Sequence, residues 1–102
     1  MIMKTKIEEI DGKWIATLEG EMDTAAALEM EDVLTPLYNS NGKDITFDCT
    51  HLEYIASSGL RILLSILKNT KANGGKVVLK NVSNDIKDVF RMTGFIDLFI
   101  FE

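Results

Sequence analysis

The order in which strand-like and helix-like patterns follow one another is what most constrains the fold of this chain. Two runs with strand character, Lys4 to Ile10 and Lys13 to Glu19, are separated by Asp11-Gly12. This dipeptide is typical of a two-residue hairpin, because both central positions of a type I′ turn take a positive φ. Helical and strand patterns then alternate to the C-terminus. Since strand–helix–strand connections favour parallel pairing, we expect a small mixed sheet with helices over it.

Periodicity and capping residues predict the other elements. The first helix begins at Asp23 or Thr24, and Pro36 in its last turn should kink or end it. Its predicted apolar stripe consists of Ala26, Met30, Val33 and Leu37. A third strand is predicted from Asp44 to Cys49, followed by a connection from Thr50 to Ala56 and a second helix from Ser57 to Asn73, closed by Gly74-Gly75. A fourth strand follows from Lys76 to Lys80, and then a third helix that is capped by Ser83 and ended by Gly94. The apolar tail from Phe95 to Phe101 is predicted to form a short edge strand or to pack under a helix. The predicted order is ββαβαβα(β), an α/β fold with a mixed four- to five-stranded sheet and three helices, in one domain spanning residues 1–102.

Composition and charge narrow the functional classes. The formal net charge is −5, from 16 acidic and 11 basic side chains, and this argues against nucleic-acid binding, which needs a basic surface. One cysteine, Cys49, and one histidine, His51, leave no internal disulfide and little scope for a metal cluster or a histidine-based catalytic site. No apolar run reaches the roughly 20 residues of a membrane span, and the N-terminus lacks the apolar region of a signal peptide. We therefore expect a cytoplasmic protein without cofactor, metal or catalytic residues.

The segment from Tyr54 to Arg61 is the candidate functional site. Ser57, Ser58 and Gly59 precede an apolar helical run, so the two hydroxyls should lie at the positive end of a helix. A serine there is most simply a helix cap, but the same position also suits a phosphate. Gly59 is interpreted as a point of close packing, and Arg61 as a solvated side chain that can steer a partner or pair with a phosphate.

Several short segments, in order and spacing, resemble those of STAS domains of the anti-sigma factor antagonist type, which act in bacterial partner switching. The segments are Gly20-Glu21-Met22-Asp23, Phe47 to Ile55, Ala56-Ser57-Ser58-Gly59-Leu60-Arg61, Asn73-Gly74-Gly75 and Val89 to Phe95. The resemblance implies a STAS-like fold over nearly the whole chain. It also implies regulated binding to an anti-sigma factor with serine-kinase activity, with a serine phosphatase as a further partner.

The resemblance implies a role for individual residues as well. The unphosphorylated antagonist binds the anti-sigma factor and frees the sigma factor, and a phosphate at the start of the second helix blocks that binding. Carried across, the phosphorylated residue is Ser57, with Ser58 as second choice, and Asp23 helps to recognise the partner. The predicted partner-binding residues are Asp23, Ser57, Ser58, Gly59 and Arg61. The family aspartate before the serine is replaced here by Ala56.

Two alternatives compete with this interpretation. The first is a STAS domain that does not switch and serves as a scaffold or as a subunit of a larger regulatory or lipid-transport complex, which Ala56 favours. The second is an enzyme with Ser57 as nucleophile and His51 as its base. The enzyme is disfavoured because the chain has neither a Gly-x-Ser-x-Gly elbow nor a Walker-type phosphate loop.

Overall fold

The computed structural model describes residues 3–102, which form a mixed five-stranded sheet and four helices. The elements are β1 (Lys4–Ile10), β2 (Lys13–Met22), α1 (Thr24–Val33), α2 (Thr35–Tyr38), β3 (Ile45–Ile55), α3 (Ser57–Ala72), β4 (Val77–Lys80), α4 (Asn84–Met92) and β5 (Ile100–Phe101). The strands lie in the sheet in the same order as in the chain. The predicted order is confirmed with its optional last strand, and the first predicted helix is replaced by the two helices α1 and α2.

The opening hairpin forms as predicted. Asp11 and Gly12 take φ values of 53° and 77°, and β1 pairs antiparallel with β2 from Lys4 opposite Glu19 to Ile10 opposite Lys13. The other three strand pairs are parallel and are joined by helical crossovers. The mixed character of the sheet therefore follows from the hairpin and the crossovers, as the sequence indicated.

The third strand is longer than predicted, and the predicted connection from Thr50 to Ala56 was wrong. β3 continues to Ile55 and pairs with the end of β2, which reaches Met22 instead of Glu19. Two irregularities in this pairing each place an extra residue on β3. After Cys49 the buried positions of β3 are therefore three residues apart, at Leu52 and Ile55. A search for alternating apolar residues fails there, because bulges break the two-residue period of a strand.

The first predicted helix breaks in two near Pro36. Leu34 ends α1, and α2 begins at Thr35 with proline in its first turn, where a missing N–H costs least. The predicted stripe was also wrong at Val33, which is 42% exposed, because Leu34, four residues after Met30, takes the buried position instead.

One hydrophobic cluster joins the helices to the sheet, with Phe47 of β3 and Phe90 of α4 among its largest fully buried side chains. The C-terminal tail contributes Phe99 and Phe101, whose rings both meet the Phe90 ring edge to face at 5.4 Å between centroids. The tail thus both packs under a helix and ends in an edge strand, so both predicted alternatives are realised. Cys49 is buried, as expected of a small apolar side chain.

Candidate functional site

The candidate site lies where β3 turns into α3. The backbone N–H of Ala56 donates to the carbonyl oxygen of Met22 at 2.8 Å, which ties this turn to the end of β2. Met22 directly precedes Asp23 at the start of α1, and Ala56 directly precedes Ser57 at the start of α3. This one hydrogen bond therefore places the starts of two helices side by side, and it brings together the sequence-predicted residues of both.

The prediction that a serine caps α3 was wrong. The N-cap residue is Ala56, with extended backbone (φ −81°, ψ 164°) and no side-chain oxygen to offer. Ser57 and Ser58 are already helical, and a capping side chain must come from the extended residue before the first helical one. The free N–H groups of the first turn of α3 consequently have no side-chain cap.

The two serines differ in accessibility. Ser57 is exposed, whereas Ser58 is half-buried. The Ser58 hydroxyl oxygen is buried and has no hydrogen-bond partner among the described residues. Ser57 is therefore accessible at the surface, whereas the hydroxyl of Ser58 is not.

Gly59 permits close packing under the start of α3, as predicted. A Cβ atom at this position would lie 3.0 Å from Ile55 Cγ1 and 3.0 Å from Met22 Cγ. Both distances are tighter than ordinary carbon contacts. Gly59 thus lets the first turn of α3 settle onto the ends of β2 and β3, and its contribution to the site is structural.

Asp23 caps α1, as the sequence indicated. Its carboxylate oxygen Oδ1 accepts from the Ala26 N–H at 2.8 Å. The side chain is exposed, so the same carboxylate also presents a negative charge beside the start of α3.

The capping role and the charge of Asp23 can be separated by substitution. We expect Asp23→Ala to lower the free energy of unfolding by about 1 kcal/mol, because the α1 cap is lost. Asp23→Asn keeps a capping oxygen and should change stability by only a few tenths of a kcal/mol. Chemical denaturation of the three proteins measures both effects. Equal stability of Asp23→Ala and wild type would show that the cap contributes nothing.

A groove between α1 and α3 runs along the site. Its lining residues are Thr24, Ala27, Leu28, Glu31, Tyr38, Ser58, Arg61, Ile62 and Ser65. Leu28 is 69% exposed and was missed by the sequence analysis, although it is a large apolar residue outside the predicted stripe of the first helix. Burial, and then the nearby Glu31 carboxylate, raise the pKa of the Tyr38 hydroxyl.

Arg61 extends into this groove with an unused guanidinium. Its side chain is exposed, and within residues 3–102 it forms neither a salt bridge nor a side-chain hydrogen bond. The groove therefore combines an apolar side chain from α1 with a free cation from α3, a pairing suited to protein recognition.

The titratable residues of β3 lie apart from this chemistry. Burial, and then the charge of Asp48, raise the pKa of the Cys49 thiol to about 12, which leaves it protonated and unreactive at neutral pH. Hydrogen bonding from Thr50 lowers the pKa of Asp48.

His51 is exposed in β3 opposite Glu19, and no hydrogen bond joins it to Ser57 within the described part of the chain. The serine–base pair that the enzyme alternative requires is therefore absent from the described residues.

Residues 3–102 provide neither a cluster of metal ligands nor a helix that could span a membrane. They contain no group of three or more His, Cys, Asp or Glu side chains placed to hold a metal ion. None of their helices has the length and apolar character needed to cross a membrane.

The mixed sheet and its helical crossovers define a small α/β domain. An exposed serine lies at the start of α3, the helix that follows the central strand β3. The family model of the STAS domain matches residues 4–102. The chain belongs to the STAS domain family.

Two relatives by sequence are named as anti-sigma factor antagonists. A proposed anti-sigma factor antagonist of Bordetella bronchiseptica, BtrV, is 32% identical over 97 residues, which cover 95% of this chain and 84% of BtrV. The anti-sigma-B factor antagonist of Staphylococcus aureus is 33% identical over 79 residues, covering 78% of this chain and 73% of that protein.

The solved structures of SpoIIAA share the fold. The unphosphorylated form of this anti-sigma factor antagonist aligns with a TM-score of 0.80 at 21% identity, covering 97% of this chain and 88% of the other. The phosphorylated form, from Bacillus, aligns with a TM-score of 0.74 at 20% identity, covering 97% and 91%.

Proposed function

We propose that this protein is a cytoplasmic anti-sigma factor antagonist that acts as a single STAS domain. In its unphosphorylated form it binds an anti-sigma factor with serine-kinase activity, and the sigma factor is released. Phosphorylation of Ser57 blocks that binding, and a serine phosphatase restores it. Family membership and the names of the sequence relatives support the class of function.

The observation that carries the switch is the exposure of Ser57 in the first position of α3. The adjacent N–H groups have no side-chain cap, and the helix start carries a partial positive charge. A phosphate added there gains charge-assisted hydrogen bonds and brings about −1.5 to −2 charge without melting the helix. Kinase action forms the Ser57 Oγ–phosphorus bond, breaks the bond from the γ-phosphorus to ADP, and passes the hydroxyl proton to a base of the kinase.

The neighbouring residues form the proposed docking surface. Asp23 and Ser57 flank the hydrogen-bonded Met22–Ala56 pair, and Ser58 and Arg61 line the groove between α1 and α3. A partner seated across both helix starts would cover Ser57. A phosphate at that point would then be desolvated against the partner, which is costly for an uncompensated charge.

The phosphorylated residue can be identified directly. We expect that a cognate anti-sigma factor with serine-kinase activity, supplied with ATP, places one phosphate on Ser57. Ser57→Ala should abolish the modification, because its only surface hydroxyl in this turn is lost. Mass spectrometry of proteolytic peptides measures both results.

Ser58→Ala is the matched control, since it removes the neighbouring hydroxyl and leaves Ser57 in place. Its phosphate should still appear on Ser57, because that residue remains exposed at the first position of α3. Modification of Ser58 instead of Ser57 would overturn the choice of residue. No phosphate on either serine, combined with binding that ATP does not alter, would overturn the switch.

The non-switching scaffold is the second candidate function. Ala56 favours it, because the residue before Ser57 offers neither a negative charge nor a hydrogen-bond acceptor to a kinase. A scaffold would bind its partner equally well with or without a negative charge at Ser57, and this difference separates the two candidates.

A further inference from the structure

We propose that Arg61 holds the phosphate of phosphorylated Ser57 within the same molecule. This inference rests on the proposed function only in taking Ser57 as the modified residue. It assigns a positioning role to Arg61, whose guanidinium has no other partner among the described residues.

Helix geometry brings the two residues together. Ser57 and Arg61 are four residues apart in α3, so they lie one above the other on the same side of the helix. Side chains in a helix lean toward its N-terminus, so Arg61 extends over the turn that carries Ser57. Consistent with this direction, Arg61 lines the same groove as Ser58, which belongs to that first turn.

A phosphate is a better partner for the Arg61 guanidinium than the Glu31 carboxylate that already lines the groove. Glu31 of α1 lines the groove with Arg61, yet the two form no salt bridge. A phosphate brings about −1.5 to −2 charge and three acceptor oxygens, whereas a carboxylate brings one charge and two oxygens. The planar guanidinium can bind two phosphate oxygens at once, which makes arginine better suited to phosphate than lysine.

This pairing would change the proposed docking surface at two points in one step. The phosphate adds negative charge at Ser57, and Arg61 is withdrawn from whatever acidic group of a partner it would otherwise meet. The switch would then act by masking a cation as well as by adding an anion.

The pairing is tested on protein made with phosphoserine incorporated at position 57 during translation, so that no kinase is needed. The second ionisation of the phosphate, with a pKa of about 6, is followed by ³¹P NMR during a pH titration in 0.1 M salt. A nearby cation stabilises the dianion and lowers this pKa. We expect Arg61→Gln to raise the pKa by about 0.3 units, from the size of a helical i,i+4 ion pair.

Lys68→Gln is the matched control, because it removes the same charge from the same helix. Lys68 is exposed and lies 11 residues beyond Ser57, about 16 Å along the axis. That distance exceeds the Debye length of about 10 Å at 0.1 M salt, so its effect should stay below about 0.1 units. Arg61→Lys should shift the phosphate pKa by an amount between those of Arg61→Gln and Lys68→Gln, since the charge remains and the planar guanidinium is lost.

Equal pKa values in wild type and Arg61→Gln, or equal shifts in Arg61→Gln and Lys68→Gln, would overturn the inference. Circular dichroism of each variant verifies that α3 is intact. Because the phosphate is introduced during synthesis, this result does not depend on a kinase. A failed kinase assay would therefore contradict the proposed switch and leave the measured pairing unaffected.

Discussion

Ser57→Asp weakens binding to the anti-sigma factor by at least about tenfold, or 1.4 kcal/mol, if the protein switches as proposed. The aspartate places one permanent negative charge where the partner covers the start of α3. Burying that charge without a counter-ion, or opposite a like charge, costs several kcal/mol. A phosphate carries more charge than aspartate, so the variant sets a lower limit on the effect of phosphorylation. Calorimetric titration of the anti-sigma factor with each protein gives the ratio of dissociation constants.

Loss of binding in Ser57→Asp cannot be attributed to unfolding of α3. An acidic residue in the first turn of a helix is stabilising, because it complements the positive end of the helix dipole. Asn84→Asp is the matched control, since it adds the same charge at the first position of another helix, α4, on an exposed residue. β3 runs seven residues past its last pair with β4, from Asp48 to Ile55, so the two helix starts lie at different levels of the sheet.

The control variant should bind the anti-sigma factor like wild type. Wild-type affinity in Ser57→Asp would contradict the switch and support the scaffold. Equal weakening in both variants would point to a general charge effect, in which case Ser57 has no special place in the interface.

Gly42→Ala lowers the free energy of unfolding by about 2–5 kcal/mol, because the added methyl group meets both backbone strain and a steric clash. Gly42 has a φ of +79°, which costs a non-glycine residue about 1–2 kcal/mol. An added Cβ would also lie 2.0 Å from the carbonyl oxygen of Asn73. Relieving such a clash requires backbone shifts of the kind that cost about 1–3 kcal/mol.

Two further glycines separate the backbone strain from the clash. Gly74 has a φ of +90° but open space around its Cβ position, so Gly74→Ala should cost only the strain, about 1–2 kcal/mol. Gly75 lies outside the left-handed region, and its added Cβ would be 2.4 Å from the Gly42 carbonyl oxygen. Gly75→Ala should therefore cost only the clash, about 1–3 kcal/mol. Alanine reduces the freedom of the unfolded chain equally in all three variants.

Urea denaturation of the four proteins measures these free energies. The ranking should be Gly42→Ala as the least stable, with the two other variants between it and wild type. A Gly42→Ala protein no less stable than Gly74→Ala would show that the loop before β3 does not press against the end of α3. This contact lies at the far end of α3 from Ser57, about 24 Å along its 16 residues, so folded variants should still be phosphorylated.

Much of the architecture was predictable because its signals are local. Asp11-Gly12 specifies a turn through the positive φ values of its own two residues. Asp23 and Ser83 cap α1 and α4 by binding N–H groups three residues ahead, Ala26 and Ile86. Such interactions are complete within a few residues, so the sequence shows both partners.

The wrong predictions concern strand length and burial, which depend on contacts with distant segments of the chain. The second half of β3 forms because β2 lies beside it, and its bulges remove the alternation by which a strand is recognised. Val33 and Leu34 both fit the helical period after Met30, and only packing decides that Leu34 is buried and Val33 is 42% exposed. The groove residue Leu28 was missed for the same reason, because a groove exists only once two helices have packed.

By itself, the amino-acid sequence determined the order of the elements, the mixed pairing of the sheet and the position of the Ser57-Ser58 pair at a helix start. Only the tertiary structure decided how those serines are used. It removed both from the capping role, exposed Ser57, buried the hydroxyl of Ser58 and brought Asp23 beside them through the Met22–Ala56 hydrogen bond. The physical reason is that turns and caps depend on neighbours in the chain, whereas exposure and the meeting of two helix starts depend on packing between segments more than 30 residues apart.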